Sequence, residues 1–339
     1  MHAFIRYLLI SLALFLLLNW LLPDWFAIRY PRELGPKFSS DIRMSYQAEI
    51  NREKPEIILL CNSVVNFGID PQLFEQLIQR KTLKFSFPGT ASAYWYLLIK
   101  SNIVSSNPPP KYLLIFFTDN LLTSPSLGVN GEVYQSLIDE VAGEGETVLL
   151  QKAYLSQTSR LENYLNSQLP IFGERDALKK KIDNRLKYTL PFLVEKCDKT
   201  CLDAGLDETF SQLNMLPDDF GPIEQNAGFR KDSEWDFEGQ VENSFLPDMI
   251  QLAQKNGIQL VFVRGKNARM MNLADETEAM RLYFQQMAEY FSRQDVIYLD
   301  FSHTPQLTLD MFLDRIHLNP SGQKVFTRLV AEALSALIR

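Results

Sequence analysis

The sequence predicts an α/β protein with a parallel sheet covered by helices on both faces, an N-terminal transmembrane helix and a mostly helical insertion. Three observations predict it. Short apolar runs alternate with helix-length segments on either side of a long middle region, and such alternation implies parallel pairing with right-handed crossovers. From Tyr7 to Leu22 the only polar side chains besides the tyrosine hydroxyl are Ser11 and Asn19. From about Leu121 to Leu246 no comparable strand run occurs, while charged, helix-compatible stretches such as Leu178–Lys187 do.

The N-terminal run comes first. Phe4 and Ile5 lengthen it, with Arg6 between them and Tyr7, to close to the ~20 residues that span a bilayer as a helix. A cleaved signal peptide is the rival reading, but Asn19–Trp25 offers no small-residue cleavage pattern, and Trp20 and Trp25 match an interfacial aromatic belt. A helix buried in the fold is the bland alternative. Arg6 and the amino terminus stand on one side of the run, and Arg29, Arg32 and Lys37 on the other, so basic residues alone do not set orientation. The short N-terminal tail favours a body on the outer side. Residues 1–22 are thus expected to be the anchor, 23–54 a polar stem, and 55–339 the α/β domain, with its insertion at about 121–246.

Within that domain Glu56–Leu60 reads as a strand, and Asp70-Pro71 as the N-cap and first position of a helix to about Arg80. Leu83–Phe87 is a second strand and Ala91–Ser105 an apolar helix, stopped by Asn107-Pro108-Pro109-Pro110. Tyr112–Phe117 is fully apolar, as strands buried on both faces are. After the insertion come a helix over Leu246–Asn256 with Gly257 as its stop, a strand Gln259–Arg264, a helix Glu276–Ser292 and a strand Val296–Asp300. Asn319-Pro320 opens a last amphipathic helix to about Leu337.

Composition narrows the function. A hydrophobic fraction of 46% suits a globular core, and a formal net charge of −7 leaves no basic footprint for nucleic acid. Cys197 and Cys201, four apart, could close a small disulfide loop in an oxidising compartment or remain free thiols. The phosphate-loop, dinucleotide-binding and H-E-x-x-H patterns are missing from the sequence, as is the G-x-S-x-G elbow around Ser63, and no metal or organic cofactor is inferred.

In open parallel sheets the active site lies beyond the carboxyl ends of the strands. Ser63, Gly89 and Asn120 each fall just past such an end. A serine hydroxyl needs a base to take its proton, and the base needs a group that fixes its tautomer. His317 is the candidate base and Asp314, three residues earlier, the candidate orienter. The Ser63 N–H, the Gly89 N–H and the Asn120 side-chain amide are candidate donors to an oxyanion. Arg264 is a candidate to hold a substrate carboxylate or phosphate, with a structural ion pair as the alternative. His303 reads as a loop residue or an accessory site group.

At these residues the chain resembles the SGNH, or GDSL-type, hydrolase superfamily. Cys61-Asn62-Ser63 resembles its first block, Gly89 its second, and Asp314–His317 with Asn319-Pro320-Ser321-Gly322 its last. The third block keeps only Asn120 of its Gly-x-Asn-Asp, and the first lacks its Gly-Asp. The resemblance covers residues 56–120 and 257–339. It implies a flavodoxin-like three-layer α/β/α sheet and a Ser63–His317–Asp314 triad. The anchor and insertion are similar to the membrane-tethered branch, which includes the teichoic-acid D-alanyl transfer protein and partners of membrane-bound O-acyltransferases. That branch implies a single-pass protein of the bacterial inner membrane, facing the periplasm or exterior. It would act as esterase or O-acyltransferase on an envelope polysaccharide or polymer, beside a membrane-bound O-acyltransferase partner. The eroded blocks leave room for an alternative, a catalytically weakened scaffold in an envelope-polymer assembly complex.

Overall fold

The computed structural model describes residues 2–26, 45–130, 132–143, 145–156, 160–175, 178–179, 181 and 234–338. The chain divides into two compact units, Met1–Leu34 with Thr158–Leu216, and Gly35–Gln157 with Pro217–Arg339. Arg29, Arg32, Lys37, Cys197 and Cys201 lie outside the described residues, as does most of Leu178–Lys187.

The first unit holds α1 (His2–Trp25), in which Phe4–Trp25 is long and apolar enough to cross a membrane. The short helix Pro170–Gly173 packs against it, and the helix Arg160–Gln168 packs against that one.

The second unit is built on a sheet whose order decides where a site can form. Its strands are β1 (Ile57–Cys61), β2 (Thr82–Ser86), β3 (Tyr112–Phe117), β4 (Gln259–Arg264) and β5 (Ile297–Asp300), arranged β2-β1-β3-β4-β5 and all parallel. That is the flavodoxin-like order, whose switch point lies between β1 and β3. Every residue of β1 is buried, as expected of an unbroken Ile-Ile-Leu-Leu-Cys run covered on both faces.

The segment expected to be a stem contains α2 (Ser45–Glu53), with Ile50 fully buried and Tyr46 edge-on to Phe85 and Phe87. Those two apolar residues recruit the segment into the body, which begins by residue 45. The chain after β1 forms a short helix α3 (Ser63–Gly68), followed by α4 (Pro71–Ile78). Asp70 caps α4 by accepting from the Gln72 and Leu73 amides, worth about 1 kcal/mol. The helix expected over 91–105 is α5 (Ser92–Leu98) continuing as a π turn over Ile99–Ile103. Helix α6 (Glu132–Val141) and the turn α7 (Thr147–Leu149) bury Ile138, Val141 and Leu149, so this early part of the insertion belongs to the α/β unit. Helices α8 (Arg160–Gln168) and α9 (Pro170–Gly173) belong to the first unit. Helices α10 (Phe237–Val241), α11 (Leu246–Lys255), α12 (Glu278–Arg293) and α13 (Pro320–Leu337) complete the second.

Successive side chains of a strand point to opposite faces, and β3 shows both layers. Phe116 packs against Phe326 of α13, while Phe117 and Phe262 lie together and Phe262 stacks on Phe291 of α12 at 4.6 Å. Helices α12 and α13 therefore cover opposite faces.

Candidate active site

Strand β1 delivers Asn62 and Ser63 beside the switch point. Asn62 accepts the Val64 amide (3.0 Å), capping α3, and the Cys61 thiol (3.2 Å), and its Nδ2 donates to the Thr90 carbonyl (3.4 Å). Ser63 is thereby the first residue of α3, with its Oγ 2.8 Å from His317 Nε2. Helix α3 is held against α13 by Gln323 Nε2 donating to the Asn66 carbonyl (3.1 Å), and Gly68 lies beside the Phe326 ring.

The partner loop is built around Asp314. Its Oδ1 accepts the Ile316 and His317 amides, both at 2.8 Å, and its Oδ2 accepts from His317 Nδ1 at 2.7 Å. Burial alone would raise the Asp314 pKa, but the His317 hydrogen bond and the two amides outweigh it and hold the carboxyl below its ordinary value. With the proton on Nδ1, Nε2 is left as acceptor for the Ser63 hydroxyl hydrogen. Phe67 packs edge-on to the imidazole at 5.0 Å. The loop is closed by Leu313 N–H to the His317 carbonyl (2.8 Å) and by Asn319, whose Oδ1 caps α13 through the Ser321 and Gly322 amides.

Sequence reasoning missed the brace beneath this loop. Ala268 N–H donates to the Arg315 carbonyl at 2.7 Å. The Lys266 ammonium, nearly buried, donates to the Thr304 and Leu307 carbonyls at 2.8 and 2.9 Å. Burial lowers its pKa. Its one legible signal is its place two residues past β4, at the functional edge of the sheet.

The other candidates are placed differently. Gly89 is exposed, at φ +73°, and a Cβ there would stand 2.5 Å from the Tyr134 hydroxyl, so the turn requires glycine. The Asn62–Thr90 bond ties this turn to that of Ser63. Asn120 is buried, with its Nδ2 donating to the Glu234 carbonyl at 3.1 Å. Arg264 does not face an open site. Its guanidinium is buried between Glu276 and Asp300 and lies over the Phe284 ring, which corrects the substrate-binding expectation in favour of a structural ion pair. Two carboxylates at the ends of β5 and of the loop before α12 claim the charge that a ligand would need. His303 joins the same cluster, its Nε2 3.2 Å from Glu276.

No protein-family model matches the sequence, and no curated protein matches it at significance. Among solved structures it is similar to a protein of Bacteroides fragilis assigned as an acylhydrolase (10% identity, TM-score 0.40, covering 89% of this chain and 100% of that one). A GDSL-like lipase of Bacteroides thetaiotaomicron is also similar (10%, TM-score 0.36, covering 87% and 98%).

Proposed function

We propose that the protein is a serine-dependent acyl-ester enzyme of the SGNH type, anchored by α1 to the bacterial inner membrane with its α/β body outside. The observation that carries this reading is the relay from Ser63 Oγ through His317 to Asp314, at 2.8 and 2.7 Å. Ser63 Oγ attacks the acyl carbonyl while His317 Nε2 takes its proton. The tetrahedral intermediate collapses, the ester C–O bond breaks, and His317 returns the proton to the departing alcohol. Water or a sugar hydroxyl then attacks the acyl-Ser63 ester, giving its proton to His317, and Ser63 is released protonated. The Ser63 and Gly89 amides are the proposed oxyanion donors, with Asn120 offering only the N–H not given to Glu234. The acyl group passes to or from an envelope polysaccharide or polymer, alongside a membrane-bound O-acyltransferase. A fluorophosphonate probe tests the nucleophile: wild-type protein is labelled and Ser63→Ala is not. No labelling of the wild type, or equal labelling of both, rejects the assignment.

The Asn120–Glu234 bond favours one second reading, a scaffold of the same fold whose third oxyanion donor has been diverted. It predicts that Ser63→Ala leaves modification of the polymer intact in cells.

A further inference from the structure

Asn19 is a polar residue in a run where lipid contact favours only apolar ones. It is fully buried, whereas the neighbouring Leu17 and Leu21 are half exposed. Its Oδ1 accepts the Ile171 amide at 3.0 Å. Ile171 lies in the first turn of α9, whose N-cap, Leu169, supplies no side-chain hydrogen bond. Asn19 therefore caps α9 from another helix. An unpaired backbone amide is costly in a lipid environment, and this bond satisfies the Ile171 N–H and the Asn19 carbonyl oxygen. Helix α9 carries α8 with it, because Gly173 approaches the Asn166 carbonyl so closely that a Cβ would lie 2.6 Å from it.

We propose that α8 and α9 form a collar seated in the phospholipid headgroup layer around the distal end of α1, latched there by Asn19. The proposal rests on the membrane anchor of the proposed function and adds a second membrane-contacting element to it. Depth supports it: Asn19 precedes Trp25, the last residue of α1, by six residues, about 9 Å at the helical rise. Interfacial helices sit about 5–10 Å into the boundary between headgroups and acyl chains. The outer surface of α8 supports it too. Leu161 and Tyr164, one helical turn apart, are 67% and 62% exposed, the reverse of a water-facing stripe. Tyrosine at that level is the usual interfacial residue. Exposed Lys179 and Lys181 supply cations for anionic headgroups, while Arg175 lies over the Phe172 ring at 5.1 Å and pairs with Glu162 of α8 at 3.5 Å.

The test uses the full-length chain in nanodiscs of phosphatidylethanolamine and phosphatidylglycerol. A genetically encoded environment-sensitive fluorophore replaces Leu161, Tyr164, Leu12 or Leu282 in turn, and nitroxide lipids quench it. The expected result is several-fold stronger quenching by headgroup nitroxide at 161 and 164 than at 282, with position 12 quenched by acyl-chain nitroxide. Asn19→Leu should abolish the quenching at 161 and leave that at 12. Positions 161 and 164 as unquenched as 282, with 12 still quenched, overturn the collar and leave the anchor standing. An unquenched position 12 overturns the anchor itself, and the collar with it. Quenching at 161 that survives Asn19→Leu overturns the latch.

Discussion

Asp314 holds the histidine loop and the histidine tautomer with the two oxygens of one carboxylate. Asp314→Asn should keep much of the backbone turn but present an amide to Nδ1, favouring the wrong tautomer. Fluorophosphonate labelling of Ser63 is expected to slow by about 10³–10⁴-fold, the scale set by orienting carboxylates in serine triads. Its pH signature follows from the depressed carboxyl pKa. A group whose folded pKa lies below its unfolded value contributes stability above the unfolded value and loses it as pH falls through the folded one. Thermal melts across the acid range should therefore show a shallower loss for Asp314→Asn than for wild type. Asn62→Ala should cost about 1 kcal/mol in denaturant titrations, the worth of an N-cap, and also slow labelling by loosening Ser63. Ser63, His317 and Asp314 were legible because their chemistry is written in residue type and spacing. Asn62 and Lys266 were not, since what they hold are backbone groups whose positions appear only on folding.

At the scale of elements, the first turn of α13 decides how close the histidine loop can lie. A Cβ on Gly322 would stand 2.6 Å from the Met311 carbonyl, which also accepts the Asn319 amide at 2.9 Å. Gly322→Ala should thus cost about 1–3 kcal/mol of overpacking and slow labelling of Ser63, because the loop must shift to admit the methyl group. At the ends of β4 and β5 the expected cost is larger. Arg264→Met leaves the buried Glu276 without its cation, a loss of about 3–5 kcal/mol by denaturant unfolding. The strands were legible nearly to the residue, since buried parallel strands are unbroken apolar runs bounded by Pro, Gly and Asn. The helices α2 and α3 were not. Ser45–Glu53 carries only Tyr46 and Ile50 as apolar anchors, too few for a periodic signal, and Ser63–Gly68 is too short to show one. Tertiary contact makes them helical: Ile50 against the body and Val64 capped by Asn62.

For the whole molecule the proposed function has two forms, one handing the acyl group to water and one handing it to a sugar. On the proposed function, an anchored body would work at a surface where a polymer acceptor is made or passes, and a dedicated transferase gains by keeping its acyl-serine from water. The prediction is kinetic. Full-length protein in detergent, mixed with p-nitrophenyl acetate, should release a burst of about one equivalent of nitrophenol per Ser63 and then turn over slowly, the signature of an accumulating acyl-enzyme. Ser63→Ala should show no burst. Adding the envelope polymer should speed the slow phase and move the acetyl group onto polymer hydroxyls, read by mass spectrometry. Fast steady turnover without a burst, indifferent to the polymer, would instead make the protein a tethered esterase. The same triad serves both outcomes, since transfer and hydrolysis differ only in which hydroxyl gives its proton to His317.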